Sequence, residues 1–185
     1  MKSIVETVAK EVSTVLSNID EKEALHLSDR INAAKRIFVY GEGRSGLMGK
    51  AFAMRLMHGG FTVYVIGETI TPSIEKDDLL IAISGSGSTG AVMQFVSKAK
   101  EAEAEVFLVT TNKESELAEL CSGVLIIPAA TKYRRESEPP TIQPLGNQFD
   151  QSVHLLLDAI IIYSIQKDGQ TSSHENMKNR HANLE

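Results

Sequence analysis

The sequence is poor in aromatic residues and in positive charge. It has no tryptophan, and aromatic residues make up 5% of its 185 residues. A stacking surface for single-stranded nucleic acid is therefore not expected. The net charge of −5 argues further against a nucleic-acid-binding surface, and against attachment to an anionic membrane.

Cysteine and long apolar runs are scarce as well. The single cysteine, Cys121, excludes a disulfide framework and a zinc site built from cysteines. No apolar stretch reaches the roughly 18 residues that would cross a bilayer, and the amino terminus lacks the apolar core of a signal peptide. These absences predict a cytoplasmic protein without a membrane partner.

What the sequence does contain is a series of short apolar segments that alternate with helical patterns. The predicted strands are 36–40, 61–66, 78–83, 106–110 and 124–127. Strands that are apolar on both faces and alternate with helices indicate a parallel sheet between two helical layers. The predicted fold is a three-layer αβα sandwich with a five-stranded parallel sheet, and we expect one domain over residues 1–185.

Two helices are predicted before the first strand. Residues 3–17 carry one apolar stripe, and Asp20 followed by Glu23 is typical of a capping box that opens a second helix. We expect this pair to cover a sheet face or a partner subunit. Later helices are predicted from the first strand to about His58, between the third and fourth strands, and over 115–121 and 145–165. A long polar loop, residues 128–144, is expected to cover something.

The most informative stretch is the serine loop, residues 84–90, which follows the third strand and precedes a helix. Ser84, Ser86, Ser88 and Thr89 supply hydroxyl groups, and Gly85 and Gly87 allow close approach to backbone N–H groups. The positive end of the following helix faces the same place, so the loop predicts a phosphate-sized anion site. The alternative is a turn that only caps the helix.

The first loop, residues 41–46, follows the first strand and reads Gly-Glu-Gly-Arg-Ser-Gly. With Glu68 about 20 residues on, it matches the dinucleotide-binding fingerprint. The chain is short for a cofactor domain plus a catalytic domain, and the serine loop offers a second anion site at another strand end. Two adjacent polar loops favour a phosphorylated polyol, with dinucleotide binding as the alternative.

The pattern Ser84-x-Ser86-Gly87-x-Thr89 resembles the phosphate loop of the sugar isomerase (SIS) domain family, and Gly41-x-Gly43-x-Ser45 resembles its first loop. Within that family the chain resembles the 6-phospho-3-hexuloisomerases over nearly its whole length. The segments that carry this resemblance are 43–46, 53–58, 67–72, 84–89, 141–146 and 181–185.

The resemblance implies a flavodoxin-like SIS fold and the isomerisation of D-arabino-3-hexulose 6-phosphate to D-fructose 6-phosphate. This is the second step of ribulose monophosphate formaldehyde fixation. The resemblance implies that the reaction uses no cofactor and no metal. It also implies a homo-oligomer, expected to be a tetramer, with sites near subunit boundaries. The tail, residues 169–185, is expected to dock on a neighbouring subunit.

Such an isomerisation passes through an enediolate. It therefore needs a base, a group that carries a proton between two oxygens, and groups that bind the phosphate. The serine loop would bind the phosphate, and Arg44 and Ser45 the sugar hydroxyls or the phosphate. For Arg44 the alternative is a surface salt bridge. The predicted substrate-binding residues are Gly43, Arg44, Ser45, Ser84, Gly85, Ser86, Gly87, Ser88 and Thr89.

Asp150 is the predicted base, because it stands where the resembling family carries Glu in Gly-x-x-Phe-Glu-Gln. The side chain is one methylene shorter here, and its alternative role is a charge in the first turn of a helix. Glu68 is the second candidate, or else a carboxylate that orients Arg44. His181 is the predicted second acid/base, or a residue docked only for assembly. His154 lies one turn after Asp150 on the same helix face. We expect it to be buried and hydrogen-bonded, with a role as a catalytic partner as the alternative.

Two other functions stay open at this stage. One is another SIS aldose–ketose isomerase, such as one acting on arabinose 5-phosphate. The other is a non-catalytic module that senses a sugar phosphate.

Overall fold

Five strands pair side by side in one parallel sheet. The computed structural model of the protein describes residues 1–167 and 174–184. The strands are β1 (Ile37–Gly41), β2 (Val63–Val65), β3 (Leu79–Ile83), β4 (Glu105–Thr110) and β5 (Gly123–Ile126). Their order is β2-β1-β3-β4-β5, and each neighbouring pair is parallel. The predicted sheet is confirmed, although β2 is shorter than the predicted 61–66.

Helices cover both faces of the sheet. They are α1 (Lys2–Leu16), α2 (Glu21–Ala33), α3 (Gly43–Gly59), α4 (Gly90–Glu101), α5 (Glu116–Leu120), α6 (Asn147–Lys167) and α7 (His174–Asn179). In the described part of the chain, no helix has the length and apolar character needed to span a membrane. Residues 168–173 and 185 of the predicted docking tail lie outside the described residues.

Alternate side chains along each strand pack into two separate hydrophobic cores on opposite faces of the sheet, as expected from the two-residue period of a strand. Val39, Ile81 and Val109 pack with α2, α3 and α6 on one face. Leu80 and Leu108 pack with α4 and α5 on the other. The three predicted layers are therefore confirmed.

The amino-terminal helices lie on the α6 side of the molecule, where α1 contacts α6 and α2 contacts α6 and β5. Asp20 caps α2 by accepting from the Lys22 N–H at 2.8 Å. The predicted capping box is wrong in its second half, because Glu23 does not turn back to Asp20. Its Oε2 instead accepts the Ile126 N–H of β5 at 2.7 Å.

The chain leaves β1 and β3 in opposite directions, which opens a crevice between their carboxyl ends. The two strands are neighbours, with Gly41 in register with Ile83. After β1 the chain enters α3 on one face, and after β3 it enters α4 on the other. Ligands of open α/β sheets bind at such a switch point, and both predicted loops begin there.

Candidate active site

A cavity of about 400 Å³ opens at the switch point, within the size range of small-molecule sites. Four parts of the chain contribute to it: the first loop, the serine loop, the long loop and the start of α6. The lining residues are Glu42, Arg44, Ser45, Gly85, Ser86, Thr131, Lys132, Tyr133, Pro144, Leu145, Gly146, Asn147, Phe149 and Asp150. The long loop thus covers a site, as predicted.

Asp150 is buried at the wall of this cavity, with 5% of its surface exposed. The Ser45 hydroxyl donates to its Oδ1 at 2.8 Å, and Arg44 Nε lies 3.4 Å from its Oδ2. Burial raises the pKa of Asp150 above its ordinary value, while the Ser45 hydrogen bond and the Arg44 charge oppose that rise. A carboxylate with a raised pKa in a cleft is a candidate acid/base group.

Asp150 reaches this position because of a close contact between α6 and the serine loop. A Cβ atom on Gly85 would stand 3.3 Å from the ring of Phe149, so the missing side chain lets the first turn of α6 approach. The same turn holds Asp150, which is therefore both a first-turn charge and a cavity residue. Arg44 pairs with a buried carboxylate here rather than with a surface partner.

The serine loop is ordered by its own hydroxyls. Ser84, which is buried, shares a 2.9 Å hydrogen bond with Thr89, and the Ser88 hydroxyl donates to Ser86 Oγ at 3.1 Å. Thr89 is the N-cap of α4, but its side chain makes no capping bond. The Thr89 side chain therefore does not cap α4, whose first N–H groups have no partners inside that helix.

Glycine is required in both loops. Gly87 has φ +67°, and a Cβ there would lie 2.3 Å from Ser115 Oγ, so a side chain would be strained and would collide. In the first loop, a Cβ on Gly46 would lie 2.3 Å from the Gly41 carbonyl oxygen. Gly46 therefore permits close packing of α3 on β1, which is also the role of the third glycine in dinucleotide-binding folds.

Glu68 is not part of the cavity wall in the described chain. It follows β2, at one side of the sheet, and its half-exposed carboxylate accepts from Lys50 Nζ at 2.7 Å. The alternative role of orienting Arg44 is not seen, because Glu68 pairs with Lys50 instead.

His181 also lies away from the cavity of its own chain. Its ring stacks on His58 with centroids 5.3 Å apart, and the neighbouring Arg180 donates to the His58 carbonyl at 3.2 Å. His58 stands near the end of α3 opposite Arg44, about 21 Å along the helix. His181 is therefore far from the cavity of its own chain.

The other histidines make no contribution to the cavity lining. His26 packs edge-on against Phe107. Burial, with the nearby Arg55 and His181, lowers the pKa of His58. His154 is half-buried rather than buried, and no hydrogen bond to it occurs among residues 1–167 and 174–184, so that expectation is wrong.

Sequence reasoning missed the residues that the long loop brings to the cavity, above all Thr131, Lys132 and Tyr133. Arg134 fixes this loop, because it donates to carbonyl oxygens of Thr131, Gln143 and Leu145. The run of cationic and aromatic residues at 132–135, inside a loop expected to cover something, was the available signal.

Together these groups can bind an anion and move a proton. Gly85 and Ser86 of the serine loop line the cavity, together with the Ser45 hydroxyl, a buried carboxylate and two cations. The predicted binding residues that are not among the described lining residues are Gly43, Ser84, Gly87, Ser88 and Thr89, and the start of α4 is not among them either. In the part of the chain that is described, no three His, Cys, Asp or Glu side chains cluster as metal ligands.

Known proteins match this chain over most of its length. A model of the SIS domain matches residues 30–142. The 3-hexulose-6-phosphate isomerase of Bacillus subtilis is 39% identical over 96% of this chain and 95% of its own. The protein of that name from Methanocaldococcus jannaschii is 42% identical over 85% and 82%. A crystal structure from Methanococcus jannaschii, from which the same function was inferred, has a TM-score of 0.84 at 33% identity, covering 98% of both chains.

Proposed function

The chain belongs to the SIS domain family, and we propose that it isomerises D-arabino-3-hexulose 6-phosphate to D-fructose 6-phosphate. One observation carries the proposal: relatives named 3-hexulose-6-phosphate isomerase are similar to it over nearly its full length. The broader role of a sugar-phosphate isomerase is supported by the family match and by the names of these relatives. The cavity supports it with the Ser86 hydroxyl and two cations near a buried carboxylate.

The reaction moves the carbonyl group from C3 to C2. A base takes the proton from C2, which gives a 2,3-enediolate, and the proton returns to C3. A second proton passes from the C2 oxygen to the C3 oxygen. The electrons stay within the sugar, so the proposed reaction requires no redox cofactor.

Asp150 is the proposed base. The Ser45 hydroxyl donates to Oδ1 of its carboxylate. The other oxygen, Oδ2, lies 3.4 Å from Arg44 Nε. The Arg44 guanidinium is half-exposed, and it is placed to stabilise negative charge that develops on the sugar oxygens next to the base. Ser45 thus acts as a positioning residue, and Arg44 as an electrostatic one.

The serine loop is proposed to bind the phosphate, with hydroxyls and N–H groups at the start of α4 as donors. Fixing the phosphate places C2 and C3 at a defined distance from Asp150. His181 of an adjacent copy of the chain remains the proposed carrier of the oxygen proton. In the cell, we place the enzyme in the cytoplasm, at the second step of ribulose monophosphate formaldehyde fixation.

The test is fructose 6-phosphate formation by the wild type, Asp150→Asn and Asp158→Asn. The substrate is generated in place from formaldehyde and ribulose 5-phosphate by the preceding synthase. Loss of a general base typically costs about 10² to 10⁴ in rate, so Asp150→Asn is expected to lose at least about 10². Asp158 lies two turns later on α6 and is not among the cavity residues, so its variant should keep wild-type activity.

Absence of wild-type turnover would contradict the proposed reaction. It would favour an isomerase for another sugar phosphate, such as arabinose 5-phosphate, or a non-catalytic sugar-phosphate sensor. An active Asp150→Asn would retain the reaction and contradict the assignment of Asp150 as the base.

A further inference from the structure

Lys132 lines the cavity, and no carboxylate among the described residues pairs with it. We propose that Lys132 binds the phosphate group of the substrate, as a charged partner to the neutral serine loop. This inference rests on the proposed function. It adds a binding residue that neither loop motif contains.

The charges of the cavity wall support this role. The ionisable residues there are Glu42, Arg44, Lys132 and Asp150. Arg44 is paired with Asp150, and Glu42 accepts the hydroxyl of Tyr40. Lys132 is consequently the one cation of the described wall that is not engaged by a carboxylate. Such a cation favours the entry of a phosphate dianion beside Glu42, because the serine loop contributes only dipoles.

The backbone of Lys132 is held on both sides. Before it, the buried Thr131 donates to Glu138 through its N–H at 2.8 Å and its hydroxyl at 2.6 Å. After it, Arg134 adopts a left-handed φ of 50° and donates to the Leu145 carbonyl at 2.8 Å. These contacts fix the segment at the cavity, so the lysine stem has a defined origin.

The ammonium group of Lys132 contacts the ring of Tyr133, with Nζ 5.1 Å from the ring centroid. Arg135 approaches the same ring, with its guanidinium carbon 5.3 Å away, but Arg135 is not part of the described cavity wall. Cation–π contacts at exposed sites are weak, so Lys132 remains available to an anion. Arg135 provides a matched control cation on the same loop.

The experiment compares the wild type with Lys132→Met, Lys132→Arg and Arg135→Met. Two quantities are measured: KM and kcat for the isomerisation, and the Kd of fructose 6-phosphate and of inorganic phosphate by calorimetry. A lost charged contact weakens binding by about tenfold or more, so KM and both Kd values should rise at least that far in Lys132→Met. Since this binding is shared by ground state and transition state, kcat should change by less than about threefold.

Lys132→Arg should restore most of the affinity, and Arg135→Met should stay within about twofold of the wild type. Unchanged Kd values in Lys132→Met, or an equal loss in Arg135→Met, would overturn the proposal. Calorimetry separates it from the proposed function. If the wild type binds fructose 6-phosphate without turning over the hexulose, the reaction fails and Lys132 is still tested. If it binds neither ligand, both proposals fail.

Discussion

The Asp150 carboxylate is held between groups that act on its pKa in opposite directions. Burial raises the pKa, while the Ser45 hydrogen bond and the Arg44 charge lower it. The effect of burial is the larger, so the pKa of Asp150 is raised in the folded protein. In the pH window between the ordinary Asp pKa and this raised pKa, Asp150 is protonated in the folded protein and ionised in the unfolded chain. Folding stability contributed by this group therefore falls as pH rises through that window.

The acid limb of the activity profile should report this balance. If ionised Asp150 is the base, kcat/KM falls as pH drops through the raised pKa of Asp150. In Arg44→Met the acid limb should move to higher pH, because a cation that favours the carboxylate is gone. The measurement is the pH dependence of kcat/KM in the wild type and the variant.

Lys50→Met is the matched control. Lys50 is also a cation on α3, but it pairs with Glu68 and is not in the described cavity wall. An acid limb that stays in place in Arg44→Met, or that moves equally in Lys50→Met, would contradict the assignment of the limb to Asp150.

The long loop is an element in its own right, fastened to α1 through Glu11. The Glu11 carboxylate accepts from Thr141 Oγ1 at 2.5 Å, from the Ile142 N–H at 2.9 Å and from Gln143 Nε2 at 2.9 Å. Burial raises the pKa of Glu11, but these hydrogen bonds and the charge of Arg134 together lower it by more. The pKa of Glu11 is therefore below its ordinary value. One helix thus holds the loop that forms a cavity wall.

Glu11→Ala should release this part of the loop. Hydrogen exchange at the Ile142 amide should accelerate, because its acceptor is gone, and stability should fall by about 1–3 kcal/mol. Glu6→Ala on the same helix removes only an exposed contact to Lys2 at 4.0 Å, so it should leave both quantities near their wild-type values. Unchanged exchange at Ile142 in Glu11→Ala would contradict the fastening role.

The elements were predictable to the extent that their signals are local. β3 and β4 were found within one residue of their ends because runs such as Leu79–Ile83 are apolar on both faces. Glu23 was assigned wrongly because its acceptor role depends on β5, which is distant in sequence. The loops of the site followed from the rule for strand ends, whereas Lys132 was missed because only the folded long loop carries it to the cavity.

At the scale of the whole molecule, two of the surfaces that expose apolar side chains bear on assembly. One is the α1–α6 groove, which contains Ile4, Val5 and Leu155, each about half-exposed. The other is a stripe on α3, where Leu47 and Met54 lie about one and three turns beyond Arg44. A homotetramer built as a dimer of dimers requires two isologous interfaces. The homotetramer remains a proposal, and the second patch would place the cavity near a subunit boundary.

A charge placed in the α1–α6 groove should separate copies of the chain. Val5→Asp is expected to reduce the mass measured by sedimentation or light scattering, because burying an unpaired carboxylate is unfavourable. Lys10→Asp puts a carboxylate on α1 outside this groove, and the assembly should persist. A monomeric wild type, or an unchanged mass in Val5→Asp, would contradict an interface at the groove.

The bond between Glu23 and the Ile126 amide has one more consequence. β5 is a terminal strand of the sheet, and an open amide on such a strand invites the strand of another molecule to pair with it. The Glu23 carboxylate occupies that donor at 2.7 Å and adds a negative charge beside it. This one donor on the sheet edge is thereby closed to pairing with a strand of another molecule.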